Sequence, residues 1–229
     1  CMRIYVGYDS REDLAYEVCK YSIRKKNKQV EVIPLKLATM RELGIYTRPV
    51  DKKASTEFTF SRFFVPYLMD YKGWAMFVDC DFLFLSDPQE VFDMADKQYA
   101  VQVVKHDYTP KSTVKMDGQK QEIYPRKNWS SAVLWNCGHP MNMRLNLQNL
   151  NTESGMWHHR FMWLEDSEIG ELPHHWNYLT DWYKEPDDGK PKALHYTEGG
   201  PWFKDKQQCE FAAHWLNTRD EMFHKQGIV

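Results

Sequence analysis

No apolar run in this 229-residue chain approaches the roughly 18 to 20 residues a helix needs to cross a bilayer. The N-terminal stretch has no charged and apolar pattern of a secretory signal. The expectation is a soluble, cytoplasmic protein without a membrane span. Five cysteines (Cys1, Cys19, Cys80, Cys137, Cys209) are an odd number and contain no Cys-x-x-Cys. That excludes a disulfide framework and a zinc ribbon, and they read as reduced thiols used as small apolar residues. An excess of either charge is missing too: 30 Lys and Arg against 32 Asp and Glu give a net charge of −2, so nothing electrostatic favours nucleic acid as a partner. The 11 glycines form neither Gly-x-Gly-x-x-Gly nor Gly-x-x-x-x-Gly-Lys-Ser/Thr, which removes the dinucleotide and P-loop signatures. No internal repeat or low-complexity segment is visible, and one large domain over residues 1–229 is the expectation.

Against these absences stands the stretch Trp74-Ala-Met-Phe-Val-Asp79-Cys80-Asp81-Phe-Leu-Phe-Leu85, an apolar run interrupted by two carboxylates. Its length, aromatic content and closing Ser86-Asp87-Pro88 read as a buried strand followed by a second short strand. The aspartates then lie at the strand's carboxyl end, where open α/β sheets bind ligands. Two carboxylates without a basic neighbour repel and resist desolvation, so the pair calls for a cation. Oxygen ligands favour Mg²⁺ or Mn²⁺ completed by water and phosphate. The plainer alternative is one solvated aspartate and one turn cap. The flanking apolar run disfavours it, because burial makes unpaired charge costly.

The rest of the chain reads as α/β. Met2–Tyr8 is a first strand, ended by Gly7-Tyr8-Asp9-Ser10. Asp9 or Ser10 can cap a helix starting near Arg11 with Leu14, Ala15, Val18, Cys19 and Ser22 on one face. A base or ribose could rest against Tyr8 and Asp9, or both could be turn residues only. Val30–Leu35 is a second strand, 39–54 a loop, and 59–71 a helical pattern despite Pro66. Arg62, set among Phe60, Phe63 and Phe64, needs an anionic partner or must snorkel to the surface. A helix over 87–96, a strand at Tyr99–Val104, a strand over Ser130–Asn136 and a helix over 139–150 follow. The polar segment 106–127 exceeds an ordinary connection and reads as acceptor-side. Trp157–Leu164 reads as a short helix delivering Glu165-Asp166-Ser167-Glu168. Leu172–Leu179 mixes aromatics with hydrogen-bonding groups as a sugar-binding edge would. On a strand, His174 and His175 would point opposite ways. Residues 187–191 read as a turn, Ala193–Tyr196 as a strand carrying His195 to the Gly199-Gly200 pair, and 207–224 as a helix.

The order Val6-Gly7-Tyr8-Asp9-Ser10, Phe60-Ser61-Arg62-Phe63, Asp79-Cys80-Asp81, Ser130 to Asn136, Leu172-Pro173-His174-His175-Trp176-Asn177 and His195 to Pro201-Trp202 resembles the GT-A glycosyltransferases related to glycogenin and the bacterial lipopolysaccharide galactosyltransferases. The resemblance covers nearly the whole chain. It implies a single Rossmann-like GT-A domain with a mainly parallel twisted sheet flanked by helices. It implies transfer of a hexose, glucose or galactose, from a UDP-sugar to a hydroxyl acceptor with retention, Mn²⁺ or Mg²⁺ bridging the diphosphate. By position, Asp79, Asp81 and His195 would be metal ligands, and Gly7, Tyr8, Asp9 and Ser10 would hold uridine. Arg62 would lie near the donor sugar, with Cys80, Ser131, Gly199, Gly200 and Trp202 completing the donor site.

Three departures accompany the match. Ser130-Ser131-Ala132 replaces the family's Asn-Ser-Gly or Asn-Ala-Gly. Its Asp-Gln pair gives way to the Glu165–Glu168 stretch, making Asp166 the expected carboxylate nearest the reacting carbon. Gly200 replaces a diphosphate-binding lysine, leaving Lys204 as a substitute. The absence of a basic and apolar C-terminal tail points to a soluble acceptor, and 106–128 with 172–183 is the expected acceptor side. A sugar-nucleotide pyrophosphorylase would need a glycine-rich basic loop near the N-terminus. A non-catalytic carbohydrate-binding protein, with Ca²⁺ on the aspartates and tryptophans on sugar, is the alternative from another class.

Overall fold

The computed structural model describes residues 2–53, 56–106, 126–182 and 190–228. Strand β1 (Arg3–Gly7) runs into a short 3₁₀ turn, which Asp9 caps by accepting from the Arg11 amide, and then into α1 (Asp13–Lys26). β2 (Glu31–Leu35) and α2 (Leu37–Glu42) follow. The pattern over 59–71 forms a 3₁₀ turn, Ser61–Phe64, and a single turn of α3 (Val65–Leu68), not one helix. Pro66 lacks the amide a helix interior needs, so it sits in the first turn of α3 instead. Asp70 and Tyr71, at φ of 54° and 55°, then turn the chain into β3 (Trp74–Val78).

After β3 come β4 (Phe82–Phe84), α4 (Gln89–Phe92), β5 (Val101–Val103) and β6 (Ala132–Asn136). α4 is shorter than its sequence pattern. The pattern over 139–150 divides into a 3₁₀ turn and α5 (Leu147–Thr152), whose first turn is capped by the Asn146 side chain. α6 (Gly155–His159) and β7 (Ile169–Glu171) lead to a 3₁₀ turn over His174–Asn177, where a strand edge is expected from sequence. The turn sets His174 and His175 side by side, ring centroids 4.2 Å apart, not on opposite faces. β8 (Tyr178–Leu179), β9 (Ala193–His195) and α7 (Ala212–Lys225) complete the order. The sequence features at 107–125 and 183–189, including most of the expected acceptor segment and of the expected turn, lie outside the described residues.

Among the described residues the strands form two sheets, ordered β2-β1-β3-β6-β5-β7 and β4-β9-β8. In the larger sheet β1 is parallel to β2 and β3, and β5 to β7, while β6 runs antiparallel to β3 and β5. Side chains alternate across it. Ile4, Val6, Met76, Val78 and Leu134 meet Ala15, Cys19 and Ile23 of α1 on one face. Tyr5, Ala75, Phe77, Val133 and Trp135 meet Phe63, Phe64 and Trp163 on the other. Each fully buried residue such as Phe77 stabilises the fold by about 1.5 to 3 kcal/mol. Leu83 and Leu194 of the small sheet pack with Val18, Trp215 and Met222 between α1 and α7.

The placement that matters is the seam between the sheets. The chain leaves the large sheet at Val78, turns through Asp79-Cys80-Asp81 with the Phe82 amide on the Asp79 carbonyl (3.3 Å), and enters the small sheet at Phe82. Phe82 pairs with His195 in the antiparallel β4–β9 register, and the Tyr196 amide donates to the Asp81 carbonyl at 2.9 Å. Residues more than a hundred positions apart are thereby fixed at one point.

Candidate functional site

At that seam Asp79, Asp81 and His195 present one ligand atom each, all within 4.8 Å of one another. His195 Nε2 lies 3.1 Å from Asp81 Oδ1 and 3.8 Å from Asp79 Oδ2. The imidazole is stacked on Phe82 at 4.4 Å and is almost fully buried. Its other nitrogen, Nδ1, is 2.9 Å from Asn177 Oδ1.

A directional chain of hydrogen bonds sets the tautomer. The Ser131 hydroxyl donates to the Asn128 carbonyl (3.1 Å), so its oxygen accepts from Asn177 Nδ2 (2.8 Å). The Asn177 amide therefore turns its oxygen toward His195, and Nδ1 must carry the proton. In the neutral ring Nε2 is then a lone pair facing two carboxylates. Three electron-rich atoms converging in a buried place require a proton or a metal ion among them. The donor set fits a divalent metal: two carboxylate oxygens, and an imidazole held by a second hydrogen bond as metal-bound histidines usually are.

The electrostatics agree. Burial is the largest influence on His195 and works against its charged form, but Asp81 and Asp79 outweigh it and raise the pKa above its ordinary value. Burial pushes the Asp79 carboxyl up to about 6, with Arg62 pulling it down and Asp81 adding to the rise. Arg62 supplies the anionic partnership its apolar setting demanded: Nη1 lies 2.9 Å from Asp79 Oδ1 and donates to the Ser130 carbonyl at 2.8 Å, while Nη2 donates to the Phe58 carbonyl at 3.2 Å. Buried with Asp79, it is a fixed positive charge beside the cluster, not a surface arginine.

The three ligand candidates and Arg62 open into a cavity of about 610 Å³, also lined by Thr56, Phe58, Thr59, Ser130, His159, Trp182 and Thr197. Arg126, Lys127 and Asn128, from the end of the expected acceptor segment 106–128, also line it, as does Arg160, which the sequence did not single out. His159, its Nδ1 2.8 Å from Ser130 Oγ, has its pKa lowered to about 3 by burial and by Arg62, so it is neutral. No local pattern marks His159 or Arg160, which come from the end of α6.

Other expected site residues lie elsewhere. Gly7, Tyr8, Asp9 and Ser10 do not line the cavity. A Cβ at Gly7 would come within 2.7 Å of the Phe58 ring, so Phe58 covers the end of β1 while facing the cavity. The Asp9 carboxylate takes donors from the Arg11 amide (2.9 Å), Arg11 Nε (3.0 Å) and Nη2 (2.7 Å), and the Glu57 amide (3.1 Å). Burial alone would raise its pKa, but these bonds bring it down to about 2. Glu57 in turn holds Ser10 through both its amide and its hydroxyl, and Tyr8 donates to Asp13 at 2.7 Å.

Cys80 is buried beneath the cluster with its Sγ 3.7 Å from Glu12 Oε2. Trp202 donates to the other Glu12 oxygen at 3.3 Å. Burial, and then Asp81, raise the Glu12 pKa. Gly199 has φ of +97°, and Gly200 lies against the Trp202 indole. Neither these residues nor Lys204 lines the cavity. Asp166 does not line it either: its side chain is 90% exposed on a capped 3₁₀ turn and pairs with Arg126 at 2.6 Å. It touches the cavity only through that arginine, which also binds the carbonyls of Arg160, Phe161 and Leu164.

No family model matches the chain. Among solved structures it is similar to the glycosyltransferase GlyE of Streptococcus pneumoniae (TM-score 0.63, 15% identity), covering 98% of this chain. This chain spans only 63% of that one. It is similar to galactosyltransferase LgtC, solved with donor and acceptor sugar analogs, at a TM-score of 0.62 and 10% identity over 96% of both chains. Likeness at that identity shows the fold, and the fold is GT-A. Protein CDI of Arabidopsis thaliana is 54% identical over 224 residues, 96% of this chain and 86% of that protein. The chain accordingly belongs to the family of Protein CDI and has the GT-A fold of the glycosyltransferases.

Proposed function

We propose that the chain is a metal-dependent glycosyltransferase that moves a hexose, glucose or galactose, from a UDP-sugar to the hydroxyl of a soluble acceptor, with retention of configuration. It would act as one GT-A domain. The observation that carries the reading is the convergence of Asp79, Asp81 and the lone pair of His195 Nε2 at the carboxyl end of β3, beside a cavity large enough for a ligand. Asp79, Asp81 and His195 are the proposed ligands of Mn²⁺, with Mg²⁺ less suited to an imidazole donor. Such an ion supplies Lewis-acid stabilisation of the charge that develops on a leaving diphosphate.

The chain's own groups do the remainder. Arg62, fixed by two carbonyls and Asp79, holds a positive charge where donor oxygens would enter. Asn177 and Ser131 keep His195 in its ligating tautomer. The Phe58 wall, joined to Gly7 and the Asp9–Glu57–Ser10 network, is the proposed nucleoside end. Cys80 and Trp202 both bond Glu12 beside the Asp79–Asp81 turn, and Gly200 seats the Trp202 indole. A cytoplasmic setting is supported by Cys19, Cys80, Cys137 and Cys209, all free thiols.

The test is a donor screen that follows UDP release from several UDP-sugars with Mn²⁺ present. Release from one UDP-hexose, abolished by chelation and by Asp81→Asn, is expected. A wild-type chain that neither binds UDP with Mn²⁺ nor hydrolyses any UDP-sugar would refute the reading, and sugar binding without UDP binding would favour a lectin.

A further inference from the structure

Glu12 stands at the start of α1, half-buried, and its side chain makes no cap to that helix. A carboxylate serving only the positive amino end of a helix can do so from water. Glu12 instead turns inward, where Oε2 accepts from Cys80 Sγ at 3.7 Å and Oε1 from Trp202 Nε1 at 3.3 Å. Both donors are neutral, so they satisfy the oxygens and leave the charge in place. Among the described residues no cation pairs with Glu12, and Arg11, next in the chain, is held by Asp9 at 2.7 Å. Burial, and then Asp81, disfavour its ionised form. Keeping a carboxylate from water beside a second one costs stability.

Charge at the seam accounts for that cost. Asp79 and Asp81 bring two negative charges, and Arg62, 2.9 Å from Asp79, cancels one of them. His195 in its ligating tautomer adds none. A dication entering among these residues would meet a single net negative charge, and Glu12 supplies the second. The contact runs through Cys80, the residue between the two aspartates, so the same carboxylate anchors the turn that carries both ligands. On its other side the Trp202 indole lies against Gly200 and packs on Trp215, ring centroids 5.3 Å apart, which fixes the donor to Oε1.

Resting on the metal-dependent reading, we propose that Glu12 is a positioning residue of the metal centre: its charge completes the match to a dication, and its bonds to Cys80 and Trp202 hold the Asp79–Asp81 turn in place. It is not a ligand, since it stands outside the group of converging ligand atoms.

The experiment uses the full chain with the metal alone as probe, so that neither donor nor acceptor has to be known. Mn²⁺ binding is titrated by electron paramagnetic resonance and Tb³⁺ binding by luminescence, each well below the melting temperature of the variant. Glu12→Gln keeps the shape and one acceptor oxygen while removing the charge, and should weaken Mn²⁺ binding about 10-fold. An electrostatic loss scales with the charge of the ion, so the same variant should weaken Tb³⁺ binding further, about 30-fold. Glu12→Asp keeps the charge and should hold Mn²⁺ affinity within about threefold of wild type. The proposal is overturned if Glu12→Gln binds Mn²⁺ as tightly as wild type, if Glu12→Asp loses as much as Glu12→Gln, or if both ions are weakened alike, as a merely structural role would have it. A wild-type chain that binds no Mn²⁺ would sink the metal-dependent reading itself, and this proposal with it.

Discussion

Melting temperature as a function of pH and Mn²⁺ reads the charge crowding at the seam directly. The Asp79 carboxyl is pushed up to about 6 from an ordinary 3.8, with burial the main cause. A raised carboxyl contributes stability that is present below its unfolded value and lost as pH rises through its folded value. A rise of about 2 pH units corresponds to about 3 kcal/mol in all, about half of which is lost between about pH 5 and pH 7.5. For a chain of this size that is a change of about 3 to 6 °C. The raised pKa of His195 acts with the same sign.

The difference in melting temperature between wild type and Asp79→Asn, without metal, isolates this contribution from other titrating groups. It should shrink by that amount as pH rises over the interval. Adding Mn²⁺ at about 100 times its dissociation constant should return about 2.7 kcal/mol near pH 7.5, or about 5 to 11 °C. The gain should fall toward pH 5, where protons occupy the ligands, and vanish in Asp81→Asn. Scanning fluorimetry measures all of these. A wild-type melting temperature indifferent to Mn²⁺ near pH 7.5, or a difference that grows with pH, would refute the reasoning.

Asn177→Leu, similar in volume, leaves His195 Nδ1 without an acceptor, so Mn²⁺ affinity should drop about 10- to 100-fold in an electron paramagnetic resonance titration. An unchanged affinity would show that the ring needs no such support. Arg62→Met strands a buried carboxylate and should destabilise the fold by about 3 to 5 kcal/mol in urea. Adding Asp79→Asn to it should recover part of that loss, and failure to recover any would mean the two residues do not act as a pair. Gly200→Ala would place a methyl 1.9 Å from the Trp202 ring and drive the indole off Glu12, costing about 1 to 3 kcal/mol by the same assay. Wild-type stability in that variant would contradict the packing described.

Residue order alone determined which stretches alternate as strands, that Asp79 and Asp81 end a buried one, and that Arg62 amid phenylalanines needs an anion. These are local matters, settled by periodicity and by the cost of burying charge. The family resemblance added His195, which spacing alone could not single out.

Tertiary structure decided the rest, because the deciding contacts join distant segments. The β4–β9 register brings His195 to Asp81 across more than a hundred residues. The chain from Asn128 through Ser131 and Asn177 to His195 assigns a proton that no sequence pattern encodes. Asp166 has the residue type a sugar site wants, yet a polar 3₁₀ turn leaves it in solvent, where an acidic run is cheapest to keep. Trp182 looks like any other aromatic residue in the chain until two carboxylates from a later segment clamp its turn against the cavity.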